Sequence, residues 1–342
     1  MINSLSIATA LFLVTAVVTA QDRQQIRIVG SPSLLQATET VSRLFAANWN
    51  FPYPTLEANG TGEGFSRFCE GVGYQYPDFN AASRRITEAE FKRCRKNGVS
   101  AITEIEFARD AVVLVSAGDS KVVNFTVAQL FAALAKEVEH EGGVVENTTN
   151  RWSEIDAALP DTEIHFIGPP PQSALAFGFF EQIMAAGCSV SASSDGLDEG
   201  RRHQLCRSVR GDDIFREGPK NPATTLKLIR DDPSAVGVMH FSFYEQYSDS
   251  LTAHQIDGVA PTAEAISSGR YPLIQPVYLY VKSRHVPSVP GMQQLLYEFT
   301  SERTVSPNGS LSSTGLVPLD DIGRNRARDR ALSLQPLSLK TE

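Results

Sequence analysis

The chain has 342 residues and a formal charge of −8, from 31 Lys+Arg against 39 Asp+Glu, with 42% hydrophobic and 20% charged residues. That balance excludes a disordered chain, which carries fewer apolar groups and more charge, and the lack of a basic block excludes a general nucleic-acid binder. At about 150 residues per domain, the length suggests two domains and excludes a disulfide-stapled miniprotein.

Residues 1–20, MINSLSIATALFLVTAVVTA, carry no charged side chain. The apolar stretch Ile7 to Val18 is too short to span a bilayer, which needs about 20 residues. Val18-Thr19-Ala20 closes it with small residues, so a secretory signal cut before Gln21 is predicted, with a periplasmic or secreted mature chain. In an oxidising compartment the four cysteines, Cys69, Cys94, Cys188 and Cys206, suggest disulfides. Three connectivities are open; sequential pairing keeps each bridge within one half of the chain. A metal site is not expected, because no C-x-x-C occurs.

Ile26–Val29 reads as a short strand ending at Gly30-Ser31-Pro32, and Leu34, Val41, Leu44 and Phe45 continue at helical spacing. Thr55–Ala58 is a weak strand before Asn59-Gly60-Thr61-Gly62-Glu63-Gly64, and a helix carrying Phe65, Phe68 and Cys69 follows. Thr87 and Glu90 form a capping box for a helix reaching Lys96. Ile102–Phe107 and Ala111–Ser116 are predicted as strands and Thr126–Leu134 as a helix. Beyond them come a strand at Ile164–Ile167, a Gly-Pro-Pro-Pro stop, a helix over Ser173–Ala186 and a strand at Ala235–Met239. Pro261–Ser268 reads as a helix with Pro in its first turn, Val277–Val281 as a strand and Met292–Ser301 as a helix. Strands alternating with helices predict α/β layers with mostly parallel sheets. From Gly323 on, Arg324, Arg326, Arg328 and Arg330 read as a solvated tail, with a docking patch as the sharper alternative.

No nucleophile elbow, zincin or P-loop motif occurs, and no enzyme activity or cofactor is expected. Asp78, Asp110, Asp195 and Asp198 are available to a phosphate-ester hydrolase, but no activated nucleophile accompanies them. Instead, four Gly-, Ser- or Thr-rich loops run into helix starts: Gly30-Ser31-Pro32-Ser33, Gly60-Thr61-Gly62, Ala82-Ser83-Arg84 and Gln172-Ser173-Ala174. A helix start presents free N–H groups and favours an anion. Hydroxyls add donors, and Arg84 offers a forked guanidinium suited to an oxyanion. One such loop is an ordinary cap; four that converged would form an oxyanion receptor.

The segments IRIVGSPSLLQATETVSRLF, GTGEGFSRFCEG, DFNAASRRITEAEFKRC, IDGVAPTAEAISSGRYPLIQPVYLYV and GLVPL together resemble the phosphate-binding proteins of high-affinity phosphate ABC transporters. The resemblance runs from Ile26 to Leu319. It implies a two-lobed type II periplasmic binding protein fold, each lobe a mostly parallel sheet flanked by helices. Residues 21–110 and 277–322 would form lobe I, 111–276 lobe II and 323–342 a C-terminal tail, with crossovers near Arg109–Val112 and Pro272–Val277. It also implies a Cys69–Cys94 bridge and a ligand set of Ser31, Ser33, Thr61, Gly62, Ser83, Arg84, Gln172 and Ser173.

The fourth loop departs from the family pattern of an acid followed by Ser, Gly and Thr, because this chain has Gln172, Ser173, Ala174 and Leu175. A carboxylate there accepts the proton of hydrogen phosphate and repels sulfate, and Gln172 cannot repel by charge. Arg85, where the family often has Pro, is expected to add positive charge near the site. The implied function is capture of inorganic phosphate by a monomer that delivers it to an ABC transporter permease. The alternatives are another oxyanion such as sulfate, or a signalling or assembly role without tight anion binding.

Overall fold

A computed structural model describes residues 25–140, 143–171, 173–191 and 197–339. The predicted signal, residues 1–20, lies outside the described residues. The strands are β1 (Arg27–Gly30), β2 (Thr55–Glu57), β3 (Phe79–Ala82), β4 (Ile102–Ala117), β5 (Asn124–Phe125), β6 (Glu137–His140), β7 (Gly143–Glu146), β8 (His165–Ile167), β9 (Phe215–Arg216), β10 (Ala235–His240), β11 (Leu251–Ala253), β12 (Gln255–Ile256) and β13 (Ile274–Lys282). Among the described residues the main sheet runs β2-β1-β3-β13-β4-β10-β8-β9, with β11 on the far end of β4. β1 is parallel to β2 and β3, and β8 is parallel to β9 and β10. Such pairs need helical crossovers, which is why the strands alternate with helices along the chain.

β4 and β13 join the two parallel groups. β13 runs antiparallel to β3 and to Ile102–Ala111 of β4, whereas Val112–Val115 of β4 pairs antiparallel with β10. The sequence predicts two strands here, but the structure has one. The intervening Arg109 and Asp110 are polar yet fully engaged within extended backbone. Arg109 exchanges both main-chain hydrogen bonds with Val317 at 2.8 Å, and Asp110 accepts the Ala111 amide at 2.8 Å.

The apolar cores divide at the same place. One cluster draws on Ala111 to Leu273 plus Val317, around Phe131, Trp152, Phe166 and Phe179. Two others draw on residues up to Ala108 and from Val277 on, around Phe45, Phe79, Phe107 and Phe299 and around Phe65, Phe68 and Tyr280. Each buried aromatic contributes about 1.5–3 kcal/mol relative to exposure.

The cysteines pair sequentially. Cys69–Cys94 ties the end of helix Thr61–Phe68 to helix Glu88–Lys96, and Cys188–Cys206 ties helix Ala186–Val190 to the end of Glu199–Leu205. Loops of 25 and 18 residues close in this way. No helix among the described residues is long and apolar enough to cross a membrane.

Three other elements differ from expectation. Thr262, whose hydroxyl accepts the Ala265 amide, caps helix Ala263–Ser267, so Pro261 stands before the helix and not in its first turn. The helix predicted over Ser173–Ala186 runs from Ala174 to Val190, with a π-helical stretch at Phe179–Ala185. The segment expected as a tail from Gly323 forms most of a helix, Asp321–Ser333. Ala327 and Ala331, spaced i,i+4, enter the core of the first half. Buried Arg324 lies 3.1 Å from Glu302, Arg328 lies 2.8 Å from the same carboxylate, and Arg330 donates to the Glu104 carbonyl at 3.2 Å. Arg324, Arg328 and Arg330 therefore fasten the helix down, while Arg326 stays exposed as a solvated side chain.

Candidate functional site

The C-terminal ends of β1, β3, β8 and β10 border one cleft of about 990 Å³. Strand ends of α/β sheets are where ligand crevices form. Its lining includes Ser31, Ser33, Thr61, Gly62, Ser83, Arg84 and Ser173. The structure thus brings together every sequence-predicted ligand residue except Gln172, which lies outside the described residues.

The first wall is interlocked. Gly30 has φ +149°, and a Cβ there would stand 2.0 Å from the Ala81 carbonyl oxygen, so only glycine lets β1 turn away beside β3. The Ser31 amide donates to that carbonyl at 2.8 Å, and the Ser31 and Ser33 hydroxyls lie 2.9 Å apart. Helix Thr61–Phe68 packs onto this turn through Gly64, whose Cβ would meet Asn80 at 2.3 Å and the Gly30 Cα at 3.0 Å. That close fit places Thr61 against Ser83: the two hydroxyls are 2.9 Å apart, and the Ser83 amide donates to the Thr61 hydroxyl at 3.1 Å.

Arg84 completes this wall and is already partnered. Its Nη1 donates to Glu90 Oε2 at 2.9 Å and to the Arg85 carbonyl at 3.0 Å, and its Nη2 donates to Glu90 Oε1 at 2.8 Å. Of the five guanidinium N–H groups, the Nε–H and one on Nη2 remain without a protein partner among the described residues. The guanidinium also lies 5.7 Å from the Phe65 ring centroid and 5.5 Å from that of Phe177. Burial works against ionisation of Glu90, but Arg84 and the Thr87 amide outweigh it and hold the carboxyl below the usual range.

Arg85 does not join the cleft. It lies 3.0 Å from Glu104, stacks at 5.6 Å on Tyr278 and lines a separate cavity with Glu106 and Arg109. The expectation that it adds positive charge to the anion loops is therefore corrected: successive side chains here point to opposite sides.

The second wall offers different groups. Ser173 caps the helix by accepting the Ala176 amide at 3.0 Å and donates its hydroxyl proton to the Pro170 carbonyl at 2.7 Å, so that hydroxyl proton is engaged within the chain. Leu175 is buried and both joins the core and borders the cleft, and Phe177 stands 42% exposed toward the cleft. Lys220, His240, Ser242 and Gln246 also line this side. None sits in a motif; the usable signal was that His240 ends β10, the strand paired with β8, whose loop carries Ser173. Behind His240, Asp110 is buried and accepts the Ser242 amide at 3.2 Å and the Ser242 hydroxyl at 3.0 Å. Burial pushes the Asp110 carboxyl up, but His240 and the amides of Ala111 and Ser242 outweigh that and hold it below its ordinary value.

The sequence matches the family model for the PBP superfamily domain over residues 16–303. The chain belongs to the PBP superfamily. Protein SphX of Synechocystis sp. is 26% identical over 324 residues, covering 93% of this chain and 85% of that protein. The phosphate-binding protein PstS of Staphylococcus epidermidis is 23% identical over 260 residues, covering 75% of this chain and 68% of that one. Among solved structures, a possible phosphate binding protein from Planctomyces limnophilus superposes with a TM-score of 0.59 at 20% identity, covering 91% of this chain and 98% of that one. An ABC-type phosphate transport receptor from Vibrio cholerae gives 0.59 at 17% identity, covering 86% of this chain and 99% of that one. At these identities the structural likeness establishes a two-lobed α/β superfamily fold.

Proposed function

We propose that the chain is an exported receptor that captures inorganic phosphate in this cleft and passes it to a membrane ABC transporter. Residues 21–110 and the segment from Val277 through the C-terminal helix act as one lobe, and 111–276 as the other. β4 and β13 serve as the crossovers about which the lobes close on the anion. The observation that carries this reading is the convergence of Ser31, Ser33, Thr61, Gly62, Ser83 and Arg84 on one cleft wall facing Ser173. PstS relatives, named as phosphate-binding proteins, support it, and two disulfides support export.

A second reading, an oxyanion such as sulfate, draws on a specific feature: Glu63, on the helix rim, is the single carboxylate among the described lining residues. Thermal unfolding of anion-stripped protein tests the choice. A ligand that binds only the folded state raises Tm by mass action. Phosphate is expected to raise Tm in a saturable way while chloride at equal ionic strength does not; a rise with sulfate alone selects the second reading.

A further inference from the structure

We propose that His240 is a specificity-determining residue of this cleft, whose Nε2 reads whether the bound oxyanion carries a proton. The inference rests on the cleft being an anion site and narrows it to a protonation state of the ligand.

The placement follows from the sheet. β8 and β10 are parallel neighbours, so the loop holding Ser173 and the imidazole of His240 leave the same sheet edge. His240 lines the cleft with its side chain 21% exposed. Its Nδ1 is sealed from solvent 3.2 Å from Asp110 Oδ2, without an aligned hydrogen bond. Asp110 itself is fixed on β4 by the Ala111 amide and by both the amide and hydroxyl of Ser242. Those three donors engage Asp110 as an acceptor, so a ring proton is favoured on Nδ1, facing that carboxylate. Nε2, unlike Nδ1, is open to solvent and has no hydrogen-bond partner among the described residues. The charged groups sharing the cleft are Glu63, the Arg84–Glu90 pair and Lys220; among the described residues Asp110 alone lies within ion-pair distance of the ring.

With one proton on Nδ1, Nε2 presents a lone pair. Hydrogen phosphate donates its own O–H into it, whereas sulfate brings only lone pairs and is repelled. The Nε2 lone pair therefore favours phosphate over sulfate. Glu63 is the competing acceptor, but it is exposed in the first helical turn and no hydrogen bond orients it.

The test is calorimetric titration of the mature chain with phosphate and with sulfate at one pH and one ionic strength. The wild type is expected to bind phosphate at least about fivefold more tightly than sulfate. His240→Gln and His240→Asn, checked for native circular dichroism, are expected to bring the two affinities to within about twofold of each other. Glu63→Gln is expected to keep the wild-type ratio. A ratio that survives both His240 substitutions, or one lost in Glu63→Gln, overturns the proposal. Folded wild-type protein that binds neither anion overturns the anion reading of the cleft itself.

Discussion

The two walls of the cleft are built on opposite chemistries. The wall formed by β1, β3 and helix Thr61–Phe68 carries hydroxyls bonded to one another and a guanidinium with two N–H groups still open. The facing wall presents a serine whose hydroxyl proton is engaged by the Pro170 carbonyl, a half-exposed phenylalanine and an imidazole backed by a buried carboxylate. Side-chain donors thus lie mainly on one side, and in the proposed receptor the other side supplies closure and discrimination. The contrast explains how a chain can keep the anion loops while its fourth loop diverges at Gln172, Ala174 and Leu175: a cleft with most of its donors on one wall tolerates change on the other.

Removing the disulfides tests this contrast most strongly. Each bridge contributes about 3 kcal/mol in the chain-entropy model. The Cys69→Ala/Cys94→Ala variant is expected to lose that stability in urea titration together with phosphate affinity, because the bridge ties the helix bearing Thr61 to the helix bearing Glu90. Cys188→Ala/Cys206→Ala is expected to lose similar stability and to keep its affinity. Next in size is Glu90→Ala, which frees Arg84 but removes the Thr87–Glu90 capping box. It is expected to cost about 1 kcal/mol of stability while strengthening phosphate binding several-fold, read by calorimetry.

Acid denaturation comes next. Glu90 and Asp110 both have folded-state values below their ordinary ones. Their contribution is complete above the ordinary carboxylate range and is lost as pH falls through the depressed values, by at most about 1.4 kcal/mol per pH unit for each group. The urea midpoint is expected to drop on acidification, and Asp110→Asn to flatten part of that drop. The smallest effect belongs to Phe177→Ala on the second wall. Its ring is half-exposed, so stability is expected to change by under about 0.5 kcal/mol and phosphate affinity hardly at all; a large loss would make this wall a main binding surface.

The sequence disclosed the parts of the site that obey local rules. Ser31, Thr61, Ser83 and Ser173 sit in Gly- or Ser-rich loops before helices, and the Thr87–Glu90 capping box forms as its spacing implies. The partners that tertiary packing chooses were not legible. Glu90 reaches back across a turn to hold Arg84, Arg85 points to another cavity, and Arg324 finds Glu302 from a neighbouring helix. The continuity of β4 through Arg109 and Asp110 was hidden for the same reason, because groups that satisfy those polar side chains, the Ile266 and Ser267 carbonyls and Ser242, lie far away in sequence. His240 carried no motif at all; only the pairing of β10 with β8 puts it at the ligand edge.

The central claim is that the Arg84 wall captures phosphate, and calorimetric titration of anion-stripped wild-type and Arg84→Ala protein with phosphate tests it most directly. The account predicts saturable one-to-one binding in the wild type, weakened by about 2 kcal/mol, or about 30-fold, in Arg84→Ala, because a charge-assisted contact is lost and Glu90 is left facing the anion. Folded wild-type protein that gives no binding heat with phosphate, or an Arg84→Ala variant that binds it as tightly as wild type, would contradict the account.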